Sequence, residues 1–240
     1  MTDIPALRAA IAGLIGFAAS QEQVLLAAAP QGEEGGPSCW AAVPLIAHNT
    51  EFRRQQVQRL RAIRSGQAPP DFAEVDHRSP DLYAELKAQP ADAVGRDSWR
   101  VSGELIEELG SASQADLLDP SRHPWLRGRQ LWLQLIVRGF WHPAGHLGGY
   151  YLIHGQAARA VTLAEQAALA AAVLGAPDPA RGMASYNLAC AQAGAGLLEE
   201  AAATVTEAVA LNPDVRANAA RDSDLATVRD RGLLAALLAN

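Results

Sequence analysis

Apolar residues recur at Leu7, Ile11, Leu14, Ile15 and Ala18, the three-and-four spacing that lines one side of a helix. Pro5 suits the first turn of that helix, which the pattern extends through Ala28. Pro30 to Pro37, rich in Gly and Glu, reads as a loop. A second helix is predicted from about Trp40 to Arg64, with Val43, Ala47, Phe52, Val57 and Leu60 facing a core. Residues 65–82 carry prolines and turn formers and predict irregular chain, followed by a helical turn at Leu82 to Leu86. A third helix starts near Trp99 and ends before Pro120, weakened locally by Gly103 and Gly110. The fourth runs from about Gln130 through His154 and is interrupted or kinked at Pro143. Four amphipathic helices predict an all-α bundle, a fold in which metal sites are built from facing side chains.

The pattern changes after about Gly155. The remainder is Ala-rich and evenly punctuated, with Tyr186 as its one aromatic residue. Segment 182–215 fits a tetratricopeptide frame of 34 residues. Leu188 and Ala189 fall on its first helix, Gly196 at the turn, Ala201 and Ala208 on the second helix, and Pro213 at the end. One repeat upstream the matches at Gly155, Ala167 and Pro179 are weaker, which would let the last bundle helix double as the first of the array. Asp222, Asp224 and Asp230 read as caps of short closing helices. The expected division is therefore a bundle over 1–155 and helical hairpins over 156–240. One good repeat and one degenerate repeat do not make a peptide-binding groove, which takes about three.

Composition narrows the function. Hydrophobic residues make up 49% of the chain and aromatic ones only 5%, which favours closely packed, alanine-rich helices over sheet. A net charge of −6 leaves no basic stripe to displace counterions from phosphates, so nucleic acid is not an expected partner. The arginines at 53, 54, 59, 61 and 64 read as a solvated helix face. The N-terminus lacks the basic, apolar and cleavage regions of a signal peptide, and no apolar run is expected to span a bilayer. Two cysteines suit a reducing compartment, so a cytoplasmic location is expected. Cys190 falls on an apolar stripe, whereas Cys39, just ahead of the second helix, could reach a site there.

The candidate chemistry lies in the histidines. His142 and His146 stand four apart and share one helix face. Taken alone, the pair also fits a capping His142 and a satisfied core His146. His48, on the apolar side of the second helix, would need a partner there. Packed against the His142–His146 face, it completes three converging imidazoles with coordination positions left open, as in a catalytic metal site. Glu51, three residues past His48, could orient an imidazole or take a proton; it also fits an exposed helix glutamate. Tyr150, one turn beyond His146, could donate a hydrogen bond to a substrate oxygen or simply fill core. Asn49 points elsewhere, His154 lies too far along, and His77 and His123 fall in loops expected to be exposed. Trp40, Trp99, Trp132 and Trp141 fill the core or wall a pocket.

The phrase Pro44-Leu45-Ile46-Ala47-His48-Asn49-Thr50-Glu51-Phe52 resembles the helix-two motif of the DinB/YfiT-like superfamily of metal-binding four-helix bundles. Trp141-His142-Pro143-Ala144-Gly145-His146-Leu147-Gly148-Gly149-Tyr150-Tyr151 resembles its helix-four motif. The likeness covers roughly 1–155, and the tail from Tyr186 looks like the tetratricopeptide-type extension of some members. Two departures stand out: Leu147-Gly148-Gly149 where many relatives read Arg-Gly-Gln, and Pro143 between the two histidines. The resemblance implies a zinc or nickel ion held by His48, His142 and His146. It further implies a hydrolase or thiol transferase acting on a small electrophilic metabolite or toxin, with a low-molecular-weight thiol as possible co-substrate. A binding protein that sequesters such a molecule, or a helical-repeat adaptor with protein partners or self-association through the C-terminal helices, is the alternative.

Overall fold

The computed structural model describes residues 3–30, 33, 35, 36, 39–72 and 80–239. Among these residues all regular structure is helical, and the one bridge pairing joins Gly36 and Cys39. The chain divides into two compact units, Met1–Pro143 and Ala144–Asn240. The division falls inside one continuous helix, whereas the sequence placed it after residue 155.

The first unit holds α1 (Ile4–Ala28), α2 (Ala42–Arg64), α3 (Pro80–Lys87), α4 (Ala91–Ser111), α5 (Gln114–Leu118) and α6 (Leu131–Ile136). Asp3 caps α1 by accepting from the Ala6 N–H, and Pro5 occupies its first turn. α1, α2, α4 and α6 pack around Ile11, Ile15, Ile46, Leu105, Leu135 and Phe140, all essentially inaccessible to solvent. α4 begins eight residues before the expected start near Trp99, directly after Pro90, and Trp99 lies 57% exposed on its outer side. Two glycines within the expected third helix cost less than the packing of Val94, Val101, Leu105 and Leu109 returns.

The arginine row of α2 is a solvated face only in part, at Arg54, Arg61 and Arg64. Arg61 and Arg64 pair with Glu108 of α4 at 3.0 and 3.2 Å, while Arg59 and Arg53 are buried. Arg53 is completely inaccessible and grips Glu22 of α1 with both terminal nitrogens, at 2.7 and 2.9 Å. Asn49 and Ser98 donate to the same carboxylate, at 3.0 and 2.6 Å. A buried carboxylate needs such a set of donors. α1 is also long and apolar enough to cross a membrane, contrary to the reading that no run reaches that length. Its buried side nevertheless carries Glu22, bonded to three other side chains of this unit.

After α6 the chain widens into a π turn over Val137–Trp141, where the His142 N–H donates to Val137 O, five residues back. α7 (His142–Ile153) follows. The interruption expected at Pro143 therefore occupies the turn just before it. Proline has no N–H for the Gly139 carbonyl, and its ring crowds that carbonyl in a regular α-helix.

The second unit continues with α8 (Ala157–Val173), α9 (Asp178–Gly194), α10 (Leu198–Leu211), α11 (Val215–Ala219), α12 (Ala226–Asp230) and α13 (Ala235–Leu238). α9 and α10 form a helical hairpin whose tight turn depends on Gly196 at φ +79°. Ala201 and Ala208 are fully buried along it, and α10 ends just before Pro213, at the positions the sequence pattern marked. Asp222 caps a short 3-10 turn, Ser223–Leu225, by accepting from the Asp224 N–H. Asp230 ends α12 instead of capping a helix.

Candidate metal centre

His48 lies on α2 with 3% exposure, one turn before Phe52. Its ring meets Trp40 edge-on at 5.0 Å and Phe52 at 4.8 Å, centroid to centroid. Trp40 in turn packs on Tyr83 of α3 at 5.7 Å, and burial pushes the Tyr83 phenol above its ordinary pKa. His142, the first residue of α7, brings its ring to 4.5 Å from Phe52 and its Nε2 to 3.1 Å from His48 Nε2. The π turn makes this meeting possible. One extra residue in the turn rotates the first residues of α7 by roughly 100° relative to an unbroken α-helix.

His146 stands one turn further along α7, and the ligand atoms of His48, His142 and His146 all lie within 4.8 Å of one another. Two nitrogens bound to one tetrahedral zinc at about 2.0–2.1 Å would stand about 3.3–3.4 Å apart. The 3.1 Å spacing of His48 and His142 is within a few tenths of an ångström of that value. The donor set is thus three imidazole nitrogens, one residue buried and two half-buried, fit for a divalent ion with at least one position left for water or a ligand. A positive charge stands nearby, since the Arg138 guanidinium packs 4.5 Å from the Phe52 ring centre. Arg59, further along α2, is pressed between Phe72 and Trp125. Burial and the neighbouring Arg138 charge lower its pKa, with Asp71 opposing.

The other candidates separate clearly. Glu51 sits on the outer side of α2, its carboxylate half exposed and bonded to Arg54 at 3.0 Å. Asn49 turns away from the imidazoles toward Glu22, as expected. Tyr150 is buried on α7 and stacks on His154 at 3.9 Å, and His154 Nδ1 donates to the Tyr150 carbonyl at 2.9 Å. Cys39 is half-buried, with its backbone paired to Gly36, and is not among the three grouped ligands.

His77 lies outside the described residues. His123 is buried rather than exposed, with Nε2 donating to the Asp116 carbonyl at 3.1 Å. Among the tryptophans, Trp40 packs its ring on a grouped histidine, while Trp132 is buried and donates to Gln130 at 2.7 Å. Sequence reasoning missed the Glu22–Arg53 pair beneath the site. The available signal was a lone carboxylate on the apolar stripe of α1, seven residues after Ile15. No family model matches this chain, and no curated protein or solved structure matches it.

Proposed function

We propose that the chain is a divalent-metal enzyme that acts on a small electrophile, as a hydrolase or a thiol transferase. The observation that carries this reading is the convergence of His48, His142 and His146, which stand 94 and 4 residues apart in sequence, with ligand atoms within 4.8 Å. His48, His142 and His146 would hold the ion, zinc or nickel. When bound, such an ion lowers the pKa of a coordinated water or stabilises a thiolate at neutral pH. The chain's own residues supply the surroundings. Trp40 and Phe52 shield the His48 imidazole from water. The Arg138 charge beside Phe52 favours an anionic nucleophile or an electron-rich substrate group.

Glu51 is engaged with Arg54, which leaves Tyr150, one turn beyond His146 on α7, as the proposed polar helper. The motif likeness to the DinB/YfiT-like superfamily supports detoxification or self-resistance as the biological setting. The α9–α10 hairpin supports reading the tail as a tetratricopeptide-type extension. Both cysteines are free thiols, as suits a reducing compartment.

Elemental analysis of untagged protein tests the site. One zinc or nickel per chain is expected, lost in His48→Ala and in His142→Ala with the helical signal retained. Equal metal content in wild type and His48→Ala removes the proposal. Incubating the loaded protein with a small epoxide, with and without a low-molecular-weight thiol, distinguishes the classes. Turnover only with thiol marks a transferase, turnover without it a hydrolase, and stoichiometric binding without turnover a sequestration protein.

A further inference from the structure

The Glu22–Arg53 pair is fully inaccessible to solvent, and its bonds account for the carboxylate completely: two from Arg53, one from Asn49 and one from Ser98. A buried ion pair of this kind adds little stability over apolar residues of the same volume, because desolvating both charges offsets their attraction. Its presence calls for another reason. Both terminal nitrogens of Arg53 are spent on Glu22, which leaves Nε, and Nε donates to the Gly139 carbonyl at 3.3 Å.

That carbonyl is the one Pro143, four residues on, cannot serve. It lies in the middle of the π turn that sets the direction of His142. Gly139 also approaches α1 so closely that a Cβ would stand 2.8 Å from Ile15 Cγ1. The turn is therefore pressed against α1 at its glycine and bonded at the same residue by a guanidinium whose own orientation Glu22 fixes. A planar fork with one remaining donor suits that task, because two bidentate bonds leave the third direction no freedom.

We infer that Arg53, locked by Glu22, is a positioning residue for the three-histidine centre: by holding the Gly139 carbonyl it sets the π turn, and so the direction from which His142 meets His48. This rests on the metal reading of the three imidazoles. Groups that orient ligands without touching the ion commonly alter affinity about 10- to 100-fold.

Cobalt(II) is the probe, titrated into chelator-stripped protein and followed by its visible absorption, which reports ligand geometry. The variant is the double substitution Glu22→Met/Arg53→Met, which removes both charges together and so strands neither. It is expected to melt within a few degrees of wild type, to bind cobalt about 10- to 100-fold more weakly, and to show a shifted visible band. Arg53→Lys serves if the double variant does not fold. It keeps a charge facing Glu22 but has no fork to reach Gly139 as well, and the same weakening is expected. Wild-type affinity and an unchanged band in a folded variant overturn the positioning role. Equal cobalt binding by wild type and His48→Ala overturns the metal centre itself, and the positioning role with it.

Discussion

Gly139 and Ile15 stand so close that any side chain at 139 displaces its neighbour: the smallest would place its Cβ 2.8 Å from Ile15 Cγ1 and 3.2 Å from Cδ1. Gly139 and Ile15 are both buried, so neither can turn outward to relieve the overlap. The π turn before the histidines is thus defined by steric contact on one side and by the Arg53 bond on the other.

Gly139→Ala is accordingly expected to destabilise the protein by about 1–3 kcal/mol, although alanine is the better helix former by up to about 1 kcal/mol. Chemical denaturation of the single variants and of Gly139→Ala/Ile15→Ala checks this. The alanine at 139 should cost less in the Ile15→Ala background, where the clashing atoms are gone. Additive effects in that cycle would show that the contact does not govern the turn.

A second expectation concerns acid stability. Asp116 closes a capping box with Ser113 at the start of α5 and accepts from Arg122 Nε at 2.7 Å. Burial by itself raises its pKa, but the bonds from Ser113 and Arg122 outweigh burial and hold it below the ordinary carboxylate value. A carboxylate with a lower pKa folded than unfolded adds stability above the unfolded value, and that contribution is lost as pH falls through the folded value. Asp116→Asn should therefore cost about 1 kcal/mol near neutral pH. Its deficit against wild type should shrink as pH drops below about 4. Urea melts at both pH values measure it, and a deficit that grows in acid contradicts the assignment.

Cys190 gives a third test. Its thiol, on α9, lies 4.0 Å from Asp222 Oδ2, and burial, followed by the Asp222 and Asp224 charges, pushes its pKa up to about 12. At pH 8.5 only about one thiol in several thousand would then be the reactive thiolate. Iodoacetamide at that pH should leave the Cys190 peptide unmodified in the folded protein and label it fully after denaturation, as read by mass spectrometry. Rapid labelling of the native chain would show the site open.

Much of this arrangement was legible in the residues taken in order. The stripe of α1, the extent of α2 and the Gly196 turn follow from local rules of spacing, capping and backbone freedom, which act within a few residues. The histidines were legible for a related reason: four residues is one helical turn, so His142 and His146 share a side whatever surrounds them. Local patterning placed the start of α4 too late, because the contribution of Val94 depends on a partner helix that no short window contains.

By itself, then, the sequence determined the helical class, the spans of α1 and α2 and the identity of the three candidate ligands. Only the tertiary structure decided that His48 Nε2 meets His142 Nε2 at 3.1 Å, that Arg53 is interior and not surface, and that Glu51 faces Arg54 instead of the imidazoles. The physical reason is the range of the forces. Helix periodicity is a property of neighbouring residues, whereas a buried charge or a converging ligand set exists only once segments far apart in sequence are packed and water is excluded between them.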